Sequence, residues 1–202
     1  MSHAYIFYGK AGSGKGTQGK LLKEFLESQG RTVIYIEQGA NFRAFAQTSG
    51  RVAELTKETL NSGKLMPAFM PIYLWTKALV DQYTGTEDVI FDGVARIAQE
   101  ASVLDSGIEY LGFSKAVVFH VNISDATAVA RIKSRAELSV QAGGSARVDD
   151  LSDASIQTRI DAYQKQVLPV IEYFKTNPRY QLVEVDGEVD VPSVFEQIKQ
   201  TL

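Results

Sequence analysis

Short apolar runs punctuate this chain, and between them hydrophobic residues recur at helical spacing. The runs are Ala4-Tyr5-Ile6-Phe7-Tyr8, Thr32-Val33-Ile34-Tyr35-Ile36, Asp88-Val89-Ile90-Phe91, Ala116 to Val121 and Gln181-Leu182-Val183-Glu184-Val185. Each has the length of a strand, and the fourth is nearly all apolar, as a strand buried on both faces should be. Leu21, Leu22, Phe25 and Leu26 predict a helix over 18–28. A short helix is expected over 42–48, broken at Ser49-Gly50, and another over 52–61, stopped at Gly63. Phe69, Ile72, Tyr73, Thr76, Leu79, Val80 and Tyr83 trace one face of a longer helix, with Pro71 near its start and Trp75 as packing. A helix from about Ile97 runs to Ser106-Gly107, and Asp125 is the expected N-cap of one that turns Val129 and Ile132 inward. A polar, glycine-containing segment, 136–150, interrupts the pattern. Ile156, Ile160, Tyr163, Val167, Val170, Ile171 and Phe174 then mark a long helix, kinked at Pro169 and ended at Asn177-Pro178. A last helix covers 191–202. Strands alternating with helices predict an α/β fold, a five-stranded parallel sheet with helices on both faces. Ligands on such sheets sit beyond the carboxyl ends of the strands.

Composition narrows the classes. The chain has 202 residues, which suits a single domain over 1–202, and 45% hydrophobic content supplies a sizeable core. Twenty-one Lys and Arg against 24 Asp and Glu give a net charge of -3, which argues against a nucleic-acid or anionic-membrane partner. An anionic ligand must therefore be held by a local cluster of cations. With no cysteine there is no disulfide and no thiolate zinc site. No apolar run is long enough to span a bilayer. The start, Met-Ser-His-Ala, lacks the charged-then-apolar pattern of a secretion signal, so a cytoplasmic protein is expected. His120, inside the fourth run, reads as a core histidine rather than a ligand.

Chemistry enters at Gly9-Lys10-Ala11-Gly12-Ser13-Gly14-Lys15-Gly16-Thr17, set between the first strand and the first helix. Strand, glycine-rich turn and helix form the context of a phosphate-binding loop. Glycines let backbone N–H groups turn inward around oxygens, the helix adds unpaired N–H groups and the positive end of its dipole, and Lys15 can reach β- and γ-phosphates. Gly16 stands where the strict G-x-x-x-x-G-K-[ST] pattern has its hydroxyl residue, and Thr17 follows one later. Asp92 ends the third apolar run, where a carboxylate helps hold Mg²⁺ directly or through water. Arg96, Arg131, Arg135, Arg147 and Arg159 come from segments adjoining strand ends. Planar guanidinium forks suit the spread charge of a transferring phosphoryl group. A GTPase switch is not indicated, because Asn122-Ile123-Ser124-Asp125 only superficially resembles N-K-x-D.

From Tyr5 to the C-terminus the chain resembles the adenylate kinases of the nucleoside monophosphate kinase family, short-lid type. The loop through Gly14-Lys15-Gly16-Thr17-Gln18, including the glycine before the threonine, is similar to the family loop. Gln38-Gly39…Arg43 resembles T-G-D-x-x-R, Gly63-Lys64-Leu65-Met66-Pro67 resembles G-x-L-V-P, and Asp92-Gly93-Val94-Ala95-Arg96 resembles D-G-F-P-R. Arg131, Arg135, Arg147-Val148-Asp149-Asp150 and Arg159 match the lid and its flanking helices. The resemblance implies a P-loop NTPase-type core with a helical monophosphate-binding insertion over about 37–70 and a short lid over about 136–150. It implies a monomer that takes ATP, Mg²⁺ and a nucleoside monophosphate, most plausibly AMP on family grounds. Gly9, Gly12, Ser13, Gly14, Lys15, Gly16, Thr17 and Gly187 would hold ATP, with Arg131 over its adenine and Arg135 on its phosphates. Gln38, Arg43, Leu65, Met66, Gly93, Arg96 and Glu100 would hold the monophosphate. Arg147 and Arg159 would close over the transferring group, and Asp92 would organise Mg²⁺ through water. Lys15, Arg96, Arg131, Arg135, Arg147 and Arg159 are then the catalytic set.

The monophosphate side departs from the family pattern. The family Thr is Gln38, its Asp is Ala40, the acid after G-x-L-V-P is Ala68, and the proline of D-G-F-P-R is Ala95. A cis bond before Ala would cost about 2.5–4 kcal/mol, so a trans bond and a re-routed loop are expected. Glu100 takes the place of a base-reading Gln. A carboxylate accepts only, whereas an amide both donates and accepts. Four alternatives stay open on these residues: a kinase for GMP or another monophosphate, Gln99 supplying the amide from a shifted helix, Glu100 protonated or turned away, and a catalytically degenerate nucleotide binder.

Overall fold

A computed structural model describes residues 2–202, leaving only Met1 of the expected 1–202 unit outside. The five runs form a single parallel sheet in the order β2-β3-β1-β4-β5, where β1 is His3–Tyr8, β2 Val33–Glu37, β3 Asp88–Asp92, β4 Lys115–Asn122 and β5 Tyr180–Asp186. Alternation along the strands divides the core. Ala4, Ile6, Tyr8, Val89, Phe91, Ala116 and Val118 face one side, and Tyr5, Phe7, Ile90, Val117, Phe119 and Val121 face the other. On the second side Leu22 and Leu26 of α1 (Lys15–Ser28) pack with Val194 and Ile198 of α9 (Val191–Lys199). On the first side lie α4 (Phe69–Gln82), α5 (Ala98–Tyr110) and α8 (Leu168–Thr176), with Trp75 of α4 buried edge-on against Phe91. The remaining helices are α2 (Gln38–Phe45), α3 (Arg51–Asn61), α6 (Asp125–Gln141) and α7 (Asp153–Ala162). None of the described helices is long and apolar enough to cross a membrane.

Several boundaries differ from expectation, each for a local reason. α2 begins at Gln38, directly after β2, because Gln38 and Phe42 turn inward and Gly39 does not stop the helix. The N-cap of α6 is Ser124, not Asp125: the Ser124 hydroxyl accepts from the Thr127 N–H, while Asp125 pairs with Lys10 at 2.5 Å. α6 carries on to Gln141, so the irregular part of 136–150 is shorter than its composition suggests, and a 3₁₀ turn at Val148–Asp150 leads into α7. The long helix runs from 153 to 176 without a break and widens before Pro169. Tyr163–Val167 is a π turn between α7 and α8, and Pro169 falls in the first turn of α8, where its missing N–H costs nothing. All described peptide bonds are trans, Val94-Ala95 included, and Ala95 takes a left-handed φ of 56°. The Tyr8 hydroxyl donates to the Ala95 carbonyl at 2.8 Å and ties that re-routed loop to β1.

Candidate active site

Sheet register brings the site together. Glu37 pairs with Asp92 across β2 and β3, and Asp92 pairs with Phe7 across β3 and β1, so both carboxylates leave adjacent strands at the carboxyl edge. The phosphate-loop candidate emerges at the same edge. Gly14, with φ 87°, is the N-cap of α1, and α1 has no side-chain cap and no acidic residue in its first turn. Gln18 N–H already bonds to Gly14 O and Ser13 N–H to Lys10 O, so the first-turn N–H groups of Lys15, Gly16 and Thr17 are the ones left to meet an anion. Gly12 is required by its φ of 83° and by α6: a Cβ there would lie 2.9 Å from the Ala128 carbonyl. At Gly16 a Cβ would lie 3.1 Å from Oδ2 of Asp92, so the glycine before the threonine lets the helix approach the carboxylate. Gly12→Ala should lower the unfolding temperature more than Gly14→Ala. Both carry the left-handed cost of about 1–2 kcal/mol, but Gly14 has nothing within 4 Å. Parallel thermal melts check this, and equal losses would contradict the close approach.

One cleft gathers most of the expected residues. Gly9, Lys15, Gly16, Gln38, Arg43, Leu65, Met66, Asp92, Gly93, Arg96, Glu100, Arg135, Arg147 and Arg159 line it. Lys64, Glu37 and Asp149 join them. Cations outnumber carboxylates there, although the chain as a whole is net negative. Arg131 stands apart: it donates to the Gly187 carbonyl at 2.9 Å and lies near that of Glu188, outside the cleft. Gly12, Ser13 and Gly14 form the loop without lining the cleft, and Thr17 is exposed. Gln99 is exposed and lines a separate groove between α5 and α8.

Clustered cations dominate the electrostatics of the cleft. Burial lowers the Lys15 pKa to about 8; Asp92 opposes that shift, and Arg96, Arg159 and Arg135 reinforce it. Among the described residues, its Nζ donates only to the Lys10 carbonyl, at 3.3 Å. Burial likewise lowers Arg96, whose Nε donates to the Gly93 carbonyl at 2.8 Å. A polyphosphate would restore the Lys15 charge. ATP should therefore be bound with uptake of close to one proton at about pH 9, and about tenfold more weakly than at about pH 7. Calorimetry in buffers of different ionisation enthalpy reads the proton directly; no uptake would contradict the burial of Lys15.

Two arginines are held by one carboxylate. Asp150 accepts from Arg135 Nε at 2.9 Å and Nη2 at 2.7 Å, and from Arg159 Nη1 at 2.7 Å. Asp149 adds a second contact to Arg159 at 3.0 Å. Burial pushes Asp150 up, but the two guanidinium groups outweigh it and hold the carboxyl below its ordinary range. Arg43 pairs with Glu37 at 2.9 Å. Glu100 spends Oε2 on the Arg96 backbone N–H at 3.0 Å, and burial raises its pKa.

Two residues that the hydrophobic pattern reads as packing complete the site. Tyr35 donates to Asp92 Oδ2 at 3.0 Å, and burial followed by the Asp92 charge raises its pKa, which keeps the phenol a donor that aims the carboxylate. Tyr163, in the π turn, lines the cleft and meets His120 Nε2 at 2.5 Å, while His120 Nδ1 lies 2.8 Å from Glu184. As for metal, no cluster of three or more acidic or histidine side chains forms among the described residues. A single buried Asp92 fits Mg²⁺ held mainly by phosphate oxygens and water, the usual manner for that ion. It does not fit a resident metal centre.

These features agree with what the chain is similar to. The adenylate kinase family matches over residues 7–179. Proteins named adenylate kinase are similar along nearly the whole length. That of Azobacteroides pseudotrichonymphae genomovar. CFP2 is 29% identical over 96% of this chain and 94% of its own. That of Rhizobium meliloti (strain 1021) is 28% identical over 98% of both, and that of Prochlorococcus marinus (strain MIT 9301) 26% identical over 100% of both. With the strand–loop–helix, the parallel sheet and the cationic cleft in place, the chain belongs to the adenylate kinase family and is a nucleoside monophosphate kinase that takes its phosphoryl group from ATP.

Proposed function

We propose that the acceptor is AMP, so that ATP and AMP give two ADP. The observation that carries this reading is the single cleft in which Lys15, Arg43, Arg96, Arg135, Arg147 and Arg159 converge above Asp92. A cleft so built suits two phosphate tails meeting end to end. Lys15 and the α1 N-terminus take the donor's β- and γ-phosphates, and Arg131, against Gly187, borders the donor base. Arg43 and Arg96 take the acceptor's phosphate, whose oxygen is already an anion, so no general base is required. Arg135, Arg147 and Arg159 neutralise charge on the equatorial oxygens during transfer. Mg²⁺ bound by the phosphates would offset charge on the leaving ADP, with Asp92, aimed by Tyr35, ordering its water shell. The segments over about 37–70 and 136–150 close over the substrates and exclude water as a competing acceptor.

The test is a screen of purified protein with ATP, Mg²⁺ and each of AMP, GMP, CMP and UMP. The expected result is ADP formation with AMP at a kcat/KM at least tenfold above any other acceptor. Preference for GMP would overturn the AMP assignment. No transfer to any monophosphate would overturn the assignment of the cleft.

A further inference from the structure

The side chain that reads the acceptor's base is a question this chain poses by its own substitutions. Glu100 is poorly placed for it, because one carboxylate oxygen is committed to the Arg96 N–H across the start of α5. That bond closes the loop that presents the Arg96 guanidinium, a capping role. Gln99 faces the opposite groove. Among the described residues, Gln38 is the only carboxamide that lines the cleft.

Gln38 is 1% exposed, and both its Nε2 and its Oε1 lack any hydrogen-bond partner. A buried donor and acceptor left unmade are costly, and nearly all such groups in folded proteins are satisfied. Phe42, one turn along α2, and Met66 line the same cleft and belong to an apolar cluster, so the surroundings supply no evident reason to retain an amide. An amide in that position makes sense when a ligand supplies both partners. The matching ligand edge holds one acceptor beside one donor. Adenine offers that pair as N1 and the 6-amino group.

We propose that Gln38 is the specificity-determining residue for the acceptor, pairing its carboxamide with N1 and the 6-amino group of adenine, and that Glu100 is a positioning residue for Arg96. This rests on the assignment of AMP as acceptor.

The test couples a change in the protein to a change in the substrate. AMP is compared with purine ribonucleoside 5′-monophosphate, which lacks the 6-amino group, using wild type, Gln38→Met and Glu100→Gln. In wild type the loss of the amino group should lower kcat/KM by about tenfold or more. In Gln38→Met the two substrates should fall within about twofold of each other, and in Glu100→Gln the wild-type ratio should persist. Gln38→Met should also melt no lower than wild type without ligand, since it removes an unpaired amide; a structural role would lower it. Full discrimination surviving in Gln38→Met, or discrimination lost in Glu100→Gln, would overturn the proposal. Should wild type prefer GMP, the AMP assignment fails on its own. The same comparison, run with GMP and 2-aminopurine ribonucleoside 5′-monophosphate, which lacks the 6-oxo group, then decides Gln38: unchanged discrimination in Gln38→Met overturns it.

Discussion

Lys15→Ala should lower kcat for phosphoryl transfer by about 10²–10³-fold and leave the fold intact. The effect is large because Lys15 is the cation that α1 places at its own N-terminus, where the donor's phosphates would lie. Fixed charge in a buried site acts against a low dielectric and needs no reorganisation during transfer. The fold should survive because Nζ makes a single long contact, to the Lys10 carbonyl, and sits among Arg96, Arg135 and Arg159, which oppose its charge. Thermal melts of the ligand-free variant should show equal or greater stability. A coupled assay for ADP gives the rate. A variant within tenfold of wild-type activity would mean that Lys15 does not meet the transferring group.

Asp150→Ala should have the second largest effect, and should reach both stability and rate. One buried carboxylate holds Arg135 by two bonds and Arg159 by one, so its loss frees two guanidinium groups at once. Removing one partner of a fully buried pair costs about 3–5 kcal/mol. Arg135 is over a third exposed, so solvent screens part of that and about 2 kcal/mol is expected. The rate should fall about tenfold to a hundredfold because two cations lose their aim together. The acid limb of stability shares this origin. Asp150 has a folded pKa below its unfolded value, so its contribution is complete above the ordinary carboxylate range and is lost as pH falls through the folded pKa. Acid unfolding curves for wild type and Asp150→Ala should therefore converge at low pH. Curves that stay parallel would place the lost stability elsewhere.

Much of this molecule is legible in its sequence, for reasons that lie in particular residues. The strands are plain because a parallel sheet covered on both faces needs contiguous apolar runs such as Val117-Val118-Phe119. The loop at 9–14 is plain because glycines must occur where backbone turns on an anion. What the sequence conceals is partnership. Gln38 and Gly39 look like a turn, and only the packing of Phe42 with Met66 and Met70 makes them the start of a helix. The π turn at Tyr163–Val167 is invisible to periodicity, since Tyr163 and Val167 keep helical spacing while the backbone widens before Pro169. Glu100 looks like a side chain free to meet a base, because its partner is a backbone N–H that carries no sequence signature. Tyr35 reads as one more strand residue, and its bond to Asp92 appears only when β2 is paired with β3. Arg131 and Arg135, one turn apart on α6, look equivalent, yet Arg131 turns to the Gly187 carbonyl and Arg135 to Asp150.

Phosphoryl transfer in this protein depends on the convergence of these cations upon one phosphate chain. Its most direct test is a crystal structure with two adenosines joined by a pentaphosphate, a mimic of both substrates at once. The expected result places Lys15, Arg43, Arg96, Arg135, Arg147 and Arg159 within hydrogen-bonding distance of the phosphates, with Asp92 facing them through water. Guanidinium groups at 135, 147 and 159 turned to solvent in that complex, or the phosphates seated outside the cleft above Asp92, would contradict it.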